Sequence, residues 1–305
     1  MAFIKMDINW TEWFIMTKKI AVINDLSGFG KCSLTAAISV IASMGVQPCP
    51  LPTAILSAQT GFPSYFYDDY TDRMDAISAE WKKMNVRFDG IYTGFLSGRT
   101  QIGKVMSFLD TFYKDDTFLL VDPVMGDNGE RFSIFSSEFQ QEMKELTARA
   151  DIVTPNLTEL CLLTGEDTRL AADIVNEKEA LETAKQMAGE LMAGGTGEVV
   201  VTGMRVTDSK TGEEKMGNLA VTREAAVFST FPLVGGSYSG TGDLFASVVA
   251  GGRARGDALE DSVKLAGEMI GKAIADSVRG NVPRDEGVDY EKYLWMLNNP
   301  SFCNR

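Results

Sequence analysis

The stretch Ser237-Tyr-Ser-Gly-Thr-Gly-Asp-Leu-Phe-Ala246 contains the most informative pattern in the chain. Within it, Gly240-Thr-Gly242 stands directly before Asp243 and a helix-like run from Leu244 to Ala250. Glycine tolerates backbone angles that other residues resist, so successive N–H groups can point at one spot, where a helix N-terminus adds partial positive charge. The pattern predicts an anion-binding turn with a carboxylate beside it, which suits phosphoryl transfer to a hydroxyl. A plain glycine-rich turn with Asp243 at a helix start fits the same letters.

The composition excludes several classes of site. The chain has 305 residues, 45% of them hydrophobic and 23% charged, which is ordinary for a globular protein. Its net charge of -13 disfavours nonspecific binding to nucleic acid or to anionic membranes. There is no histidine, so a Ser-His-Asp triad, a Cys-His pair and a His-ligated zinc site are all excluded. Any general base is therefore Asp, Glu, Lys, Tyr or Cys.

Cysteine usage and hydropathy predict a cytoplasmic protein. The four cysteines, Cys32, Cys49, Cys161 and Cys303, form no CxxC pair and suggest reduced thiols. No apolar run is long enough to span a bilayer. Residues 1–15 are interrupted by acidic side chains and resemble no signal peptide, so we interpret them as an N-terminal extension and residues 16–305 as a single domain.

Alternating strand and helix patterns predict an α/β fold with a mainly parallel central sheet and helices on both faces. The chain opens with a buried strand at Ile20–Asn24, a turn at Asp25–Lys31 and a helix from Ser33 to Met44. Further along, the pattern predicts a helix from Ser78 to Met84 and a polar loop, Thr154–Glu159, after a strand at Asp151–Val153. Two further strands around Thr222-Arg-Glu-Ala225 predict a β-hairpin.

Polar residues follow successive predicted strands, where ligands gather in open α/β sheets. These residues are Asp25, Asp122, Asp127, Thr154, Asn156, Glu159 and Thr202. Carboxylates and phosphate oxygens are the usual ligands of Mg²⁺, so Asp122, Asp127 and Glu159 are candidate metal ligands. Singly, each residue also fits a strand stop, a turn or first-turn helix polarity. Their recurrence at successive strand ends favours a site.

Four motifs resemble those of the ribokinase-like superfamily, and within it the pyridoxal kinase branch. They are Val121-Asp-Pro-Val-Met-Gly-Asp127, Asp151-Ile-Val-Thr-Pro-Asn-Leu-Thr-Glu-Leu160, Val199-Val-Val-Thr202 and Ser239-Gly-Thr-Gly-Asp-Leu-Phe245. The resemblance runs in order from about Lys18 to Ala275. It implies a three-layer α/β/α fold and ATP-dependent phosphorylation of the 5'-hydroxymethyl group of a vitamin B6 vitamer. It also implies Mg²⁺, a homodimer and, as is common in that family, a monovalent cation such as K⁺.

The resemblance also implies residue roles. Asp243 matches the base that takes the hydroxyl proton, and the N–H groups of Gly240, Thr241 and Gly242 match the anion hole. On the nucleotide side, the matching residues are Asp122, Thr154, Asn156, Glu159, Thr202, Phe231, Leu233 and Val234. On the ring side, they are Asp25, Thr60 and Phe95, with Asp243. Asn24-Asp-Leu-Ser27 stands where many members have Gln-Ser-His-Val, and Asp25 replaces a serine there, which favours a cationic group on the ring substrate.

Three alternatives stay open from the sequence. Hydroxymethylpyrimidine kinase shares the fold and the motifs and differs in the ring-contacting loops. A P-loop nucleotide hydrolase would use Lys31, but Asp25 and Cys32 replace two fixed positions of that motif. A non-catalytic nucleotide-binding protein would need no base, and the intact Gly-Thr-Gly-Asp243 argues against it.

Overall fold

The computed structural model describes residues 16–173, 176–208 and 211–298. The predicted extension at residues 1–15 lies outside the described residues. The strands are β1 (Lys19–Ser27), β2 (Gln47–Leu56), β3 (Tyr67–Asp69), β4 (Gly90–Thr93), β5 (Phe118–Val121), β6 (Gly126–Asp127), β7 (Glu130–Arg131), β8 (Ile152–Val153), β9 (Glu198–Thr207), β10 (Glu214–Val221) and β11 (Ala226–Pro232). The helices are α1 (Ser33–Ser43), α2 (Thr71–Lys83), α3 (Arg99–Phe112), α4 (Ser137–Thr147), α5 (Leu157–Thr164), α6 (Leu170–Asp173), α7 (Glu177–Ala193), α8 (Thr241–Arg255) and α9 (Leu259–Arg279).

The strands form a central sheet in the order β11-β10-β9-β8-β5-β4-β1-β2-β3. All pairings from β9 to β2 along this order are parallel, whereas β3 and the β10–β11 hairpin are antiparallel. The predicted mainly parallel sheet and the predicted hairpin are confirmed.

Successive strand residues face opposite sides of the sheet and fill two separate cores, as the period of two requires. In β1, Ala21 and Ile23 pack with α2, α3, α4, α5 and α7. Ile20 and Val22 pack on the other face with α1, α8 and α9. A sheet buried on both faces between two helical layers confirms the three-layer architecture.

The sequence interpretation was wrong at three boundaries. The predicted turn at Asp25–Lys31 begins later, because β1 continues to Ser27 through a register shift between Asn24 and Leu26. Helix α2 begins at Thr71, whereas the pattern predicts a helix only from Ser78. The expected loop Thr154–Glu159 contains the first turn of α5.

None of the helices in the described ranges is both long enough and apolar enough to span a membrane.

Candidate active site

The order of the strands places a switch point at the carboxyl ends of β1 and β4, where a ligand crevice is expected. The connection after β1 runs through α1 on one face of the sheet to β2, whereas α2 and α3, on the other face, flank β4. Where neighbouring strands send their connections to opposite faces, the carboxyl edge of an open sheet leaves room for a ligand. The predicted site residues lie along this edge, with Asp25 in β1, Phe95 after β4, Asp122 after β5, Thr154 after β8 and Thr202 in β9.

Gly240 forms the turn that the sequence predicted. Its φ is +80°, in the left-handed region, and α8 begins at the next residue. A Cβ at this position would lie 2.1 Å from the carbonyl oxygen of Lys31 and 2.8 Å from Cβ of Cys32. Both the backbone angle and the close approach therefore require glycine. A Cβ on Gly242 would meet nothing within 4 Å, so the space beside the turn is open to a ligand.

The Asp243 carboxylate lies close to the N-termini of two helices. It belongs to the first turn of its own helix α8 and accepts a hydrogen bond from the backbone N–H of Ser33, the first residue of α1. Ser33 has a φ of +51°, unusual for a residue with a side chain, in the turn that leads into α1. Asn24 Nδ2 donates a second hydrogen bond to Asp243 Oδ1 at 3.0 Å.

The pKa of Asp243 is raised to about 6, mainly by burial and also by the negative charge of Asp25. The hydrogen bonds from Ser33 and Asn24 lower it and so limit the rise. The sequence interpretation relied on the helix N-terminus alone and missed this effect of burial. With a pKa near 6, the carboxylate is mostly ionised at neutral pH and can accept a proton.

Of the three residues predicted to contact a ring substrate, Asp25 and Phe95 are joined through Asn24, whose Oδ1 accepts from both of their N–H groups, whereas no contact links Thr60 to either of them in the described part of the chain. Asp25 sits in the irregularity of β1, and such bulges often redirect a side chain next to an active site. It is 6% exposed, accepts a hydrogen bond from Ser27 Oγ at 2.8 Å, and burial raises its pKa. The Phe95 ring packs against Phe135 at a centroid distance of 6.1 Å, and Thr60 is exposed.

The nucleotide side contains Asp122 and Thr154, which are joined by a 3.0 Å hydrogen bond from Thr154 Oγ1. Burial, together with the negative charge of Asp243, raises the pKa of Asp122 to about 7, although the Thr154 hydrogen bond lowers it. The two carboxylates are thus close enough to influence each other, which connects the nucleotide side to the base. Thr202 forms a bridge to Asn156 beside them.

Glu159 and Asn156 form a reciprocal cap on α5. Asn156 Oδ1 accepts from the Glu159 N–H, and Glu159 Oε2 accepts from the Asn156 N–H, both at 2.9 Å. Glu159 Oε1 also accepts from the Met125 N–H at 3.1 Å. Burial raises the pKa of Glu159 well above its ordinary value, and the charge of Asp122 adds to this effect. Both oxygens of Glu159 already have a backbone partner, so any contact with a metal uses their remaining lone pairs or a water.

Asp127 differs from the other two candidate metal ligands. It is exposed, and its carboxylate accepts hydrogen bonds from the N–H and the Nδ2 of Asn128 at 2.8 and 2.9 Å. In the part of the chain that the structure describes, no three acidic or cysteine residues come together as a ready-made metal cage. Mg²⁺ is usually held by one or two carboxylates together with waters and substrate phosphates. The hard oxygen donors of Asp122 and Glu159 fit that pattern.

The apolar segment at the end of β11 lies on the same side as the nucleotide residues in strand order. Phe231 packs directly on α9, where a Cβ on Gly267 would lie 2.2 Å from its ring. Leu233 is partly exposed, and Val234 is 37% exposed. Such partly exposed apolar residues offer a surface on which a flat aromatic base can pack.

A short C-terminal turn connects three loops of the site, and the sequence did not reveal it. The three consecutive carbonyls of Arg284–Glu286 accept hydrogen bonds from the Ser239 N–H at 3.1 Å, Gln59 Nε2 at 2.9 Å and the Lys31 N–H at 3.0 Å. These donors belong to the anion-hole turn, the turn before Thr60 and the first loop. Gln59 and Asn24 are the buried residues that the sequence interpretation missed, although Asn24 directly precedes Asp25.

Lys31 does not act as a P-loop lysine in this arrangement. Its Nζ lies 2.6 Å from Asp289 and 3.3 Å from Glu291, so two carboxylates already neutralise the ammonium. The thiol of Cys32 is buried, and burial together with the charges of Asp243 and Asp25 raises its pKa to about 12. It is therefore a packed neutral thiol and a poor nucleophile.

A family model described as phosphomethylpyrimidine kinase matches residues 29–285. The chain belongs to this family. A crystal structure of a protein from Bacteroides thetaiotaomicron, provisionally named a phosphomethylpyrimidine kinase, is 38% identical with a TM-score of 0.86, and the match covers 94% of this chain and 96% of that one. A second crystal form of the protein with that name, with a TM-score of 0.82, is described as containing pyridoxal.

Named pyridoxal kinases are also similar to the chain. The pyridoxine/pyridoxal/pyridoxamine kinase of Bordetella avium is 25% identical over 88% of this chain and 90% of its own length. The pyridoxal kinase PdxY of Rubrobacter xylanophilus is 32% identical, but the match spans only about half of each chain, 52% and 51%. These relatives confirm the resemblance to the pyridoxal kinase branch of the ribokinase-like superfamily. The chain is a kinase that transfers a phosphoryl group to an alcohol.

Proposed function

We propose that the protein phosphorylates the 5'-hydroxymethyl group of a vitamin B6 vitamer with ATP. The observation that carries the proposal is the position of Asp243, a partly ionised carboxylate between the anion-hole turn and the Asp25–Phe95 wall. The similar Bacteroides protein described with pyridoxal supports this substrate class.

The arrangement supports one balanced step. The hydroxymethyl oxygen forms a bond to the γ-phosphorus while the bond from that phosphorus to the ADP oxygen breaks. The hydroxyl proton passes to Asp243, and the N–H groups of Gly240, Thr241 and Gly242 donate to the oxygens of the transferred group. Mg²⁺, held at the phosphates by Asp122 and Glu159, with Asp127 at the rim, would supply charge neutralisation.

The remaining predicted residues bind the two substrates. Thr154, Asn156 and Thr202 contact the nucleotide phosphates, and the segment from Phe231 through Leu233 to Val234 lies beside the adenine. Thr60 and Phe95 contact the ring. A monovalent cation such as K⁺, a homodimer and a cytoplasmic location complete the proposal. These assignments follow from the family resemblance and from the order of the residues along the sheet.

Asp25 sets the preference among the vitamers in this proposal. Its buried carboxylate faces the ring side and favours a cationic group, such as the protonated ring nitrogen or the amine of pyridoxamine. Asp25→Asn should lower kcat/KM for pyridoxamine more than for pyridoxine. An unchanged ratio between the vitamers would remove this role from Asp25.

The test of the function is a coupled ADP-release assay with Mg-ATP. It compares pyridoxal, pyridoxine, pyridoxamine and hydroxymethylpyrimidine, with Asp243→Ala as the control. Turnover of a pyridine vitamer that depends on Asp243 is the expected result. A preference for the pyrimidine would keep the mechanism and change the substrate, and absence of turnover with all four compounds would contradict the proposal.

A further inference from the structure

Asn24 is a fully buried amide at the centre of the crevice, 0% exposed, in β1 directly before the irregular residue Asp25. Its side chain makes three hydrogen bonds. Oδ1 accepts from the N–H of Asp25 and from the N–H of Phe95, each at 2.9 Å, and Nδ2 donates to Asp243 Oδ1 at 3.0 Å. One amide therefore connects the base with both segments of the wall on the ring side.

The orientation of this amide is determined by its partners. Two backbone N–H groups face one end of it, and only the oxygen can accept from them. The NH₂ end must then face Asp243, where a carboxylate can accept. Because the other buried carboxyls near Asp243, Asp25 and Asp122, repel its charge, Asn24 is the neutral side chain that donates to it.

Gly94 provides the space for the amide. A Cβ on Gly94 would lie 2.3 Å from Asn24 Nδ2 and 2.6 Å from its Cγ, closer than real Cβ contacts allow. Gly94 also donates its N–H to the Ile23 carbonyl at 2.9 Å, which holds the segment after β4 against β1. The glycine and the amide thus form a matched pair, and a larger residue at position 94 displaces the amide from Asp243.

We propose that Asn24 is a positioning residue for phosphoryl transfer, which orients the Asp243 carboxylate relative to the wall formed by Asp25 and Phe95. The inference rests on the proposed function, because it treats Asp243 as the base. The amide holds Oδ1 of Asp243, which orients the carboxylate so that a remaining lone pair can accept the proton of the incoming hydroxyl. The Asn24 side chain then fixes the position of the base relative to the residues that bind the ring. General-base catalysis depends on this distance between the base and the hydroxyl.

The decisive variant is Asn24→Asp. It retains an oxygen that can accept from the Asp25 and Phe95 N–H groups, and it exchanges the amide donor that faces Asp243 for a carboxyl oxygen, which also adds an acid to the core. We expect kcat to fall at least about 30-fold, with KM for ATP and for pyridoxal within about threefold of the wild type. A residue that merely supported the wall would lose no more kcat than the matched control, which makes the same amide-to-acid change at another buried position. The matched control is Gln101→Glu, the same amide-to-acid change at a 1% exposed position. The Gln101 amide donates to the Thr53 carbonyl and the Thr71 hydroxyl, accepts from the Ser97 N–H and makes no contact with Asp243; the kcat of this variant should stay within threefold.

Gly94→Ala tests the same contact without placing a new charge in the core. It should lower kcat by a similar factor. If Asn24→Asp does not fold, Gly94→Ala alone tests whether the contact between Asn24 and Asp243 supports turnover. In an Asp243→Asn background, Gly94→Ala should change the residual rate less than twofold, because its effect passes through Asp243. Wild-type kcat in either folded variant, or a full additional loss in the Asp243→Asn background, would overturn the proposal.

The outcomes separate this inference from the proposed function. If Asp243→Asn itself retained wild-type turnover, the proposed function would fail. If Asp243→Asn abolished turnover while Asn24→Asp and Gly94→Ala kept a normal kcat, only the role of Asn24 would fail.

Discussion

The carboxylates at the two ends of the crevice have different hydrogen-bond donors and different pKa values. At the ring end, Asp243 receives hydrogen bonds from the Ser33 N–H and the Asn24 amide, and its pKa is about 6. At the nucleotide end, the Asp122 carboxylate accepts from the Thr154 hydroxyl and from no N–H group of the described residues, and its pKa is about 7. N–H donors stabilise the ionised form of a carboxylate. At the nucleotide end, ionising a buried acid is energetically unfavourable unless a cation lies beside it. Under the proposed function, the comparison suggests a base that is organised in advance and a nucleotide end that Mg²⁺ would complete.

The largest expected effect is the loss of the base at the ring end. Asp243→Asn should lower kcat about 10³-fold, because general-base catalysis contributes about 10²–10⁴-fold, while the Kd for ATP changes little. Steady-state kinetics and calorimetric titration with ATP measure the two quantities. Equal losses in turnover and in ATP affinity would place Asp243 at the nucleotide end.

Gly240→Ala should disturb the turn between the two ends. The φ of +80° and the 2.1 Å approach to the Lys31 carbonyl leave no room for a Cβ, so the N–H groups must move. Removing one good anion-hole donor costs about 3 kcal/mol, so kcat should fall about 10²-fold. Gly256→Ala is a control for the backbone angle, since it has a φ of +89° at the end of α8 with open space around it. A normal kcat in Gly240→Ala would rule out the anion hole.

The pH dependence of kcat should reveal the pKa of Asp243 at the ring end. Asp243 accepts a proton only when ionised, and its pKa is about 6, so kcat should fall about tenfold for each pH unit below that value. Saturating Mg-ATP and ring substrate remove effects on binding from the measurement. An acid limb near pH 4 would show that burial does not perturb Asp243 in the working enzyme.

The free energy of unfolding at two pH values tests the raised pKa of Asp122 at the nucleotide end. The pKa of Asp122 is raised from an unfolded value near 3.8 to about 7, so the folded state holds a proton that the unfolded chain releases, and stability falls as pH rises from about 4 to about 7. Asp122→Asn should therefore stabilise the apoprotein by about 2–4 kcal/mol at pH 8, at 1.36 kcal/mol per pKa unit, and by little at pH 4. Denaturant unfolding at the two pH values checks this. A destabilised variant at pH 8 would contradict it.

The smallest effect is expected at Lys31. Its ammonium is occupied by Asp289 and Glu291, so Lys31→Met should change the Kd for ATP by less than threefold. Loss of ATP binding in this variant would revive the P-loop alternative.

Much of the fold could be predicted because its signals are local. Buried strands, the helix after Ser33 and the hairpin around Thr222-Arg-Glu-Ala225 all follow from periodicity and turn chemistry. The true end of β1 could not be predicted, because Asp25 stays in the strand only through a bulge against β2. Helix α5 was missed because Asn156 and Glu159 suggested a polar loop, although their spacing also makes a capping box.

The sequence by itself determined which chemistry the site can use: the absence of histidine limits any base to Asp, Glu, Lys, Tyr or Cys, and the Gly240–Asp243 pattern predicts a turn with a carboxylate beside it. Only the tertiary structure decided how that carboxylate is held. The bond between Asn24 and Asp243 joins residues 219 positions apart, and the turn at Arg284–Glu286 reaches back to Lys31 and Gln59. Such contacts depend on strand order and on the packing of two cores, which no local pattern encodes.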